Sequence, residues 1–430
     1  MDDGAGEGAR NAPDLLDCTE DVTPELVDPR SLDAHDDVVG PGDILGGDHT
    51  GDGGDRGADS DRGTHLGLHE HICLDAHVAS RIDCLSRQTS DRGRAGESRI
   101  CVAQGDQGGT VTGTTVGDLG ENAVVQRILD AVGPLPGVPV GPGDDAAVLA
   151  CADGRMVVTT DMLVEGRHFR RDWSDPADIG HKAAAENLAD VAAMGAKPTA
   201  LVVALAMPPD TEIAWVDGFL SGLLEEAGRA GAVLAGGDVV RADAITVGVT
   251  AFGDLGGRAP ILRSGARPGD VIAICGVLGS AAGGLAVLSR GFRSPRALVD
   301  AHRRPRPDYP AGVRASDAGA HALMDVSDGL LLDADRMARA SGVAIDIDAE
   351  TLPRDEAVVS TASAYNLDPL TWILGGGDDH ALLAAFPADA RLPEGFVQVG
   401  TVMAAVGEGA RVLVDGREPD QIAGFEHFRA

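Results

Sequence analysis

The sequence predicts an α/β (α+β) protein of two modules behind an acidic N-terminal extension. Three observations predict it: a sharp change of composition near residue 113, apolar runs of strand length alternating with helical patterns after it, and short acidic motifs set among those runs. The 430 residues are 43% hydrophobic, enough apolar material for two ordinary cores.

The extension comes first. Residues 1–113 hold 24 of the 68 acidic residues and 9 of the 35 basic ones, a formal charge of −15. Stretches such as Gly40 to Asp61 offer no apolar face to bury, so disorder is expected, or sequence read upstream of a true start at Val111 or Val116. Four of the six cysteines and half of the twelve histidines lie here, among them His65, His69, His71, Cys73 and His77. Such spacing could bind a transition metal, but no paired CxxC and no helical pattern sets a ligand geometry, so the metal reading is the weaker one.

Regular patterns begin at Thr115. Leu119 to Val132 has helical periodicity and stops at Gly133 and Pro134. Strands are predicted at Arg155–Asp161, Ala200–Met207 and Ala244–Phe252, with helices at His181–Met194 and Ile213–Ala230, and together these make a first module over residues 114–255. The second module, 256–430, opens with a strand at Val271–Cys275. Gly276, Gly279, Gly283 and Gly284 then lead into a helix, and further strands are expected at Ala344–Ile347, Phe396–Val402 and Arg411–Val414.

A formal charge of −33 argues against a nucleic-acid or anionic-membrane surface, since phosphate backbones are bound through Lys and Arg. No uncharged apolar run reaches the roughly 18 to 20 residues of a membrane span, and the first thirty residues are acidic, so a cytoplasmic protein is expected. Six cysteines do not make a disulfide framework in such a chain, and Cys151 and Cys275 read as small core residues. Lys182 and Lys197 are the only lysines, which leaves most cationic work to arginine.

The chemistry is expected at six acidic motifs: Gly143-Asp144-Asp145, Thr159-Thr160-Asp161, Asn187-Leu188-Ala189-Asp190, Gly236-Gly237-Asp238, Asp325-Val326-Ser327-Asp328-Gly329 and Gly376-Gly377-Asp378-Asp379. One Asp-Gly pair is an ordinary turn, but six such motifs in about 240 residues are harder to read as turns. Gathered carboxylates suit a hard cation such as Mg²⁺, which takes oxygen ligands and completes its shell with water and substrate phosphate. Asp145 and Asp161 are placed to share a metal, while Asn187 and Asp190, three apart on a helix, project from one face. No GxxxxGK[ST] loop occurs, which excludes a P-loop kinase, and no HRD or DFG set is present.

The segments GDDAAV (143–148), TTDMLVEGRHF (159–169), HKAAAENLADVAAMGAKP (181–198), GGD (236–238), RSGARPGD (263–270), MDVSDGLLLD (324–333), LGGGDDHAL (374–382) and GFEHF (424–428) resemble the thiamine-monophosphate kinase family. That family shares a fold group with aminoimidazole ribonucleotide synthetase and selenophosphate synthetase. The resemblance implies an N-terminal α/β domain whose strands build a β-barrel across a homodimer, with a C-terminal α/β domain packed against it. It implies metal binding at Asp145, Thr159, Thr160, Asp161, Asp190, Asp238, Asp325 and Asp328. ATP contacts are implied at Gly237, Asp238, Arg263 and Ser327, and thiamine monophosphate contacts at His168, Asp378 and Phe425. Where the family usually carries Glu-Asp-Tyr-Glu, this chain has Asp378-Asp379-His380-Ala381.

The expected reaction is ATP-dependent phosphorylation of thiamine monophosphate to thiamine diphosphate with several Mg²⁺ ions. Its nucleophile is a phosphate oxygen already ionised at neutral pH, so no general base is required. Two alternatives stand beside it. Another ATP-dependent synthetase of the same fold is disfavoured because no reactive Cys precedes the first acidic motif in ordered sequence, and a non-enzymatic metal-binding protein would use the His/Cys segment 65–84.

Overall fold

Apolar runs become strands and glycines end helices throughout residues 113–430, which the computed structural model describes except for 136–137, 143–145, 406–408, 410 and 426–430. The expected extension and its His/Cys segment therefore lie outside the described residues. Gly120, at φ 78°, splits the first predicted helix into α1 (Val116–Leu119) and α2 (Glu121–Val132), and Gly133 ends the second. Next come β1 (Val157–Val164), α3 (Pro176–Ala193), β2 (Lys197–Met207), α4 (Ile213–Ala230), β3 (Val233–Arg241) and β4 (Thr246–Asp254). Their four strands form one sheet in the order β1-β4-β2-β3, antiparallel except for the parallel β2–β3 pair.

The chain continues through β5 (Val271–Cys275), α5 (Ser280–Ser289), α6 (Arg296–Arg303), α7 (Tyr309–Asp317), β6 (Ala322–Val326) and α8 (Leu330–Ser341). It ends with β7 (Val343–Ile347), α9 (Glu356–Ala364), α10 (Leu370–Gly375), β8 (Ala381–Phe386), β9 (Phe396–Ala404) and β10 (Arg411–Val414). These six strands form a second sheet in the order β10-β7-β9-β5-β8-β6. The α/β expectation holds, with three differences. β1 runs on to Val164, so Thr159-Thr160-Asp161 lies inside the strand instead of at its end. β3 was not expected, because Gly236 and Gly237 weaken a strand pattern; it forms as an edge strand in register with β2. β6 and β8 are buried along their whole lengths, and a short apolar run of that kind has no period to read.

The first sheet has two unlike faces. Leu163, Leu201, Val203, Leu205, Val247 and Val249 point inward to a core shared with α3 and α4. Val158, Met162, Val202, Ala204, Phe252 and Val240 alternate with them on the outer face, where Val158, Met162 and Val240 are 57%, 59% and 49% exposed. Among the described residues no helix is long and apolar enough to cross a membrane.

Of the eighteen residues of α3, fourteen are buried, because the helix is covered from several sides. It packs on β1, β2 and β4, against α4, and against α7 and β6 of the second module. Small residues make this possible: a Cβ on Gly180 would lie 1.9 Å from Phe219 O, one on Gly222 1.9 Å from Ala177 O, and one on Gly312 of α7 1.9 Å from Ala192 O. The start of α3 is fixed by Pro176 and by Asp178, whose carboxylate accepts from Asp175 N at 3.0 Å and from Arg304 Nε at 2.6 Å. His181 Nε2 donates to Pro305 O at 2.8 Å, Arg229 donates to Pro307 O at 3.1 Å, and Tyr309 Oη donates to the buried Glu226 at 2.5 Å. Segment 304–309 thus clamps α3 and α4 to the second sheet.

Gly222→Ala should therefore lower stability by about 2 kcal/mol or more, in the range of overpacked cores, where helix propensity alone would raise it. Urea unfolding checks this, and an unchanged or raised midpoint would show that the α3–α4 crossing can yield.

Candidate active site

Four elements deliver carboxylates to one place. Asp161 comes from β1, Asp190 from α3, Asp325 from the last turn of β6, and Asp328 from the β6–α8 turn. Thr159 Oγ1 donates to Asp190 Oδ2 at 2.8 Å, and Asn187 Oδ1 accepts from Asp161 N at 2.9 Å, so α3 and β1 are stitched together at the cluster. Burial raises the pKa of Asp161 and His380 opposes the rise, while the charges of Asp325 and Asp328 add to it. Asp190 is pushed up to about 7 by burial and by the charges of Asp325 and Asp161. The group behaves as a set of oxygen donors held closer than their charges favour.

Beside it lies a second polar set. Lys182, buried on α3, donates Nζ to Asp378 Oδ2 at 2.9 Å and stands 3.7 Å from Glu186 Oε1. Burial opposes the charge on Lys182, but Asp378 and Glu186 outweigh it and the ammonium is held above its ordinary pKa. Glu186 is pushed up to about 7, chiefly by burial. Burial also favours the neutral acid at Asp378, yet Lys182 overrides it and holds that carboxyl below the ordinary range. His380 Nδ1 lies 3.2 Å from Asp325 Oδ2. Although burial disfavours the charged ring, Asp325, Glu186 and Asp378 raise its pKa to about 9.

The loop before β8 aims these groups. Asp378 N donates to Ser327 O at 2.8 Å and His380 N to Val326 O at 3.1 Å, which ties the loop to the end of β6. A Cβ on Gly377 would lie 2.4 Å from Ser327 O, so only glycine allows this approach. Asp378 and His380 adopt left-handed backbones, φ 67° and 53°, at about 1–3 kcal/mol each. Asp379 turns away: its carboxylate caps α5 by accepting from Gly279 N and Ala281 N, and burial pushes its pKa up to about 7.

The other expected site residues divide. Ser327 stands at the cluster through its backbone contact with Asp378. His168, in the turn after β1, accepts from Val164 N through Nδ1 at 2.9 Å and lies close enough to Asp161 to affect its charge. Phe425 N donates to Asp328 O at 2.9 Å, which brings the C-terminal tail to the same turn. Asp145 lies outside the described residues.

Thr160, Gly237, Asp238 and Arg263 are not brought to the cluster within one chain. Successive strand residues alternate faces, so Thr160 points to the outer face and donates to Val249 O at 2.8 Å. Across the sheet Gly237 aligns with Val203, Val249 and then Asp161, and Asp238 likewise with Met162, about 14 Å at ordinary strand spacing. Arg263 O accepts from Ser341 Oγ at 3.0 Å at the far end of α8, whose 12 residues put about 18 Å between its ends.

The sequence reading missed Lys182, Glu186, His380 and Arg336. Lys182, Glu186 and Asp190 recur at i, i+4 and i+8 on an Ala-rich helix, a stripe that could have shown one polar face. Arg336 donates to Asp328 Oδ2 at 2.6 Å and to Asp333 Oδ1 at 2.7 Å, so it neutralises one side of the cluster. Nothing in its local sequence marks it out.

All donors at the main cluster are oxygens, which fits Mg²⁺, and the raised pKa of Asp190 marks a charge deficit that a cation would fill. Residues 143–255 match the family described as AIR synthase related protein, N-terminal domain, and residues 267–374 match its C-terminal domain. The thiamine-monophosphate kinase of Mycobacterium tuberculosis (strain H37Rv) is 47% identical over 315 residues, covering 73% of this chain and 93% of that one. The crystal structure of thiamine-monophosphate kinase from Stenotrophomonas maltophilia K279a aligns with TM-score 0.61 at 32% identity, covering 69% of this chain and 96% of that one. A structure of AaThiL complexed with AMPPCP and TMP aligns with TM-score 0.60 at 30% identity, covering 72% and 98%.

The raised carboxyls set a pH dependence. A group raised by folding adds stability while protonated and loses it as pH climbs through its folded pKa, so Asp190, Glu186 and Asp379, joined by His380, weaken the metal-free fold from pH 6.5 to 8. Below pH 6.5 the buried His302, lowered to about 3, acts in the opposite sense, which confines the clean window to the higher range. The Tm of the metal-free protein should fall between pH 6.5 and 8, Mg²⁺ should reduce the fall, and Asp190→Asn should make it shallower without abolishing it, since Glu186, Asp379 and His380 still titrate. A slope unchanged in Asp190→Asn would show that this carboxyl does not titrate there.

Proposed function

The chain belongs to the thiamine-monophosphate kinase family, and we propose that it transfers the γ-phosphoryl group of ATP in line to the phosphate of thiamine monophosphate, giving thiamine diphosphate. The observation that carries this reading is the convergence of Asp161, Asp190, Asp325 and Asp328 from both sheets on one point. Such a site would hold several Mg²⁺ ions, which would neutralise the phosphates of both substrates and so let two anions meet.

The chain's own residues then position. Thr159 and Asn187 fix Asp190 and the β1 backbone, and Lys182 fixes the Asp378 carboxylate toward the substrate side. Ser327 and the Asp328 turn lie where the nucleotide phosphates would approach, with Arg336 as a neighbouring forked donor. The acceptor phosphate is ionised at neutral pH, so no side chain need remove a proton, and positioning with charge neutralisation supplies the catalysis.

A homodimer completes the proposal. The outer face of the first sheet exposes Val158, Met162 and Val240 on the same side as Phe252 and Val202, apolar side chains of the kind that mark an interface. A second copy laid on that face would close the two sheets into a barrel.

Incubation with ATP, Mg²⁺ and thiamine monophosphate should yield thiamine diphosphate, and Asp161→Asn should lower kcat by more than tenfold, about 1.4 kcal/mol of barrier, with an unchanged circular dichroism spectrum. A variant retaining most of its kcat would remove Asp161 from the metal site. Separately, Met162→Glu should convert the protein to a monomer in analytical ultracentrifugation; an unchanged sedimentation coefficient would place the interface elsewhere.

A further inference from the structure

His380 stands between the two polar sets of the site. Its side chain is 95% removed from solvent, being 5% exposed, and its backbone is tied to Val326 O. Nδ1 faces Asp325 Oδ2 at 3.2 Å, on the side of the metal-binding carboxylates. Nε2 is buried and has no hydrogen-bond partner, and His380, Glu186 and Asp378 offer atoms within 4.8 Å of one another. These three could in principle ligate a metal of their own. Lys182 argues against it, because its ammonium already contacts Asp378 Oδ2 and lies 3.7 Å from Glu186, where a further cation would be repelled.

The buried ring also cannot reach a substrate, since Nε2 is enclosed by protein. We infer that His380 is a positioning residue: its Nδ1–H turns the Asp325 carboxylate toward the divalent cation, and its buried ring, two residues beyond Asp378, anchors the loop that carries Asp378 against the end of β6. One rigid ring, fixed by a pinned loop, thereby links cation binding to substrate contact. Partners of this kind, which hold a metal ligand without touching the metal, commonly govern affinity by about 10- to 100-fold. The inference rests on the proposed Mg²⁺ site and assigns a role inside it that the metal ligands alone do not have.

The test uses Mn²⁺ as a spin probe on the full chain, with free Mn²⁺ measured by electron paramagnetic resonance, alongside steady-state kinetics. His380→Ala should weaken Mn²⁺ binding about tenfold and raise KM for thiamine monophosphate more than KM for ATP. His380→Asn places an amide N–H near the Nδ1 position, so it should restore Mn²⁺ binding to within about threefold of wild type while KM for thiamine monophosphate stays high. Mn²⁺ binding by His380→Ala equal to that of wild type overturns the inference and leaves the metal site standing. Equal loss in the Ala and Asn variants, tracking a lowered Tm, overturns it in favour of a purely structural ring. Wild-type protein that binds no Mn²⁺ overturns the underlying metal reading itself.

Discussion

The crowding and desolvation of carboxylates drawn to one place is the constraint around which this structure is organised. Asp161, Asp190, Asp325 and Asp328 come from separate elements, so nothing local forces them together; tertiary packing does. Loss of solvent makes ionisation harder and each like-charged neighbour adds to it, and the displaced pKa of Asp190 records both. The fold answers with cations placed around the rim: Lys182 at Asp378, His380 at Asp325 and Arg336 at Asp328. His380 also lowers the pKa of Asp161 and Asp190, though not enough to offset burial and the neighbouring carboxylates.

Holding such a cluster requires a support that cannot relax. α3 provides it by being packed between β1, α4 and α7, with glycines at Gly180, Gly222 and Gly312 so that backbones touch where side chains would keep them apart. Close contact of this kind transmits strain without dissipating it, because protein interiors are packed as densely as organic crystals. The same logic applies to the loop before β8. Two left-handed non-glycine residues are tolerated there because hydrogen bonds to Ser327 and Val326 overdetermine their positions.

Periodicity and punctuation made much of the fold legible: α4, β5 and β10 have the expected limits, and β7 and β9 differ by one or two residues. What escaped had no period to show. β6 and β8 are uniformly buried, and β3 carries two glycines in its middle. At the site, motif residues such as Asp190 and Asp325 were legible because six acidic motifs recur within about 240 residues, more than turns alone account for. Lys182 was seen as a rare cation but not as the partner of Asp378, 196 residues away, since no local signal encodes a contact of that range. Asp378, where the family usually carries Glu, is engaged by Lys182, with Asp379 withdrawn to cap α5.

The residues that remain apart are as informative as those that meet. Thr160 and Asp238 share the outer face of the first sheet, and Asp238 lies on its open edge strand, three strands from Asp161. An edge strand carrying Gly-Gly-Asp gains little from the core of its own copy, and Asp238 is exposed there with its carboxylate turned back on Val239 N. A strand so placed is open to pairing with another chain. The apolar outer face and this acidic edge belong to one surface, so whatever covers the first also encloses the second. Asp161 and Asp238, on the two border strands of the first sheet, are separated by a sheet only about 14 Å wide.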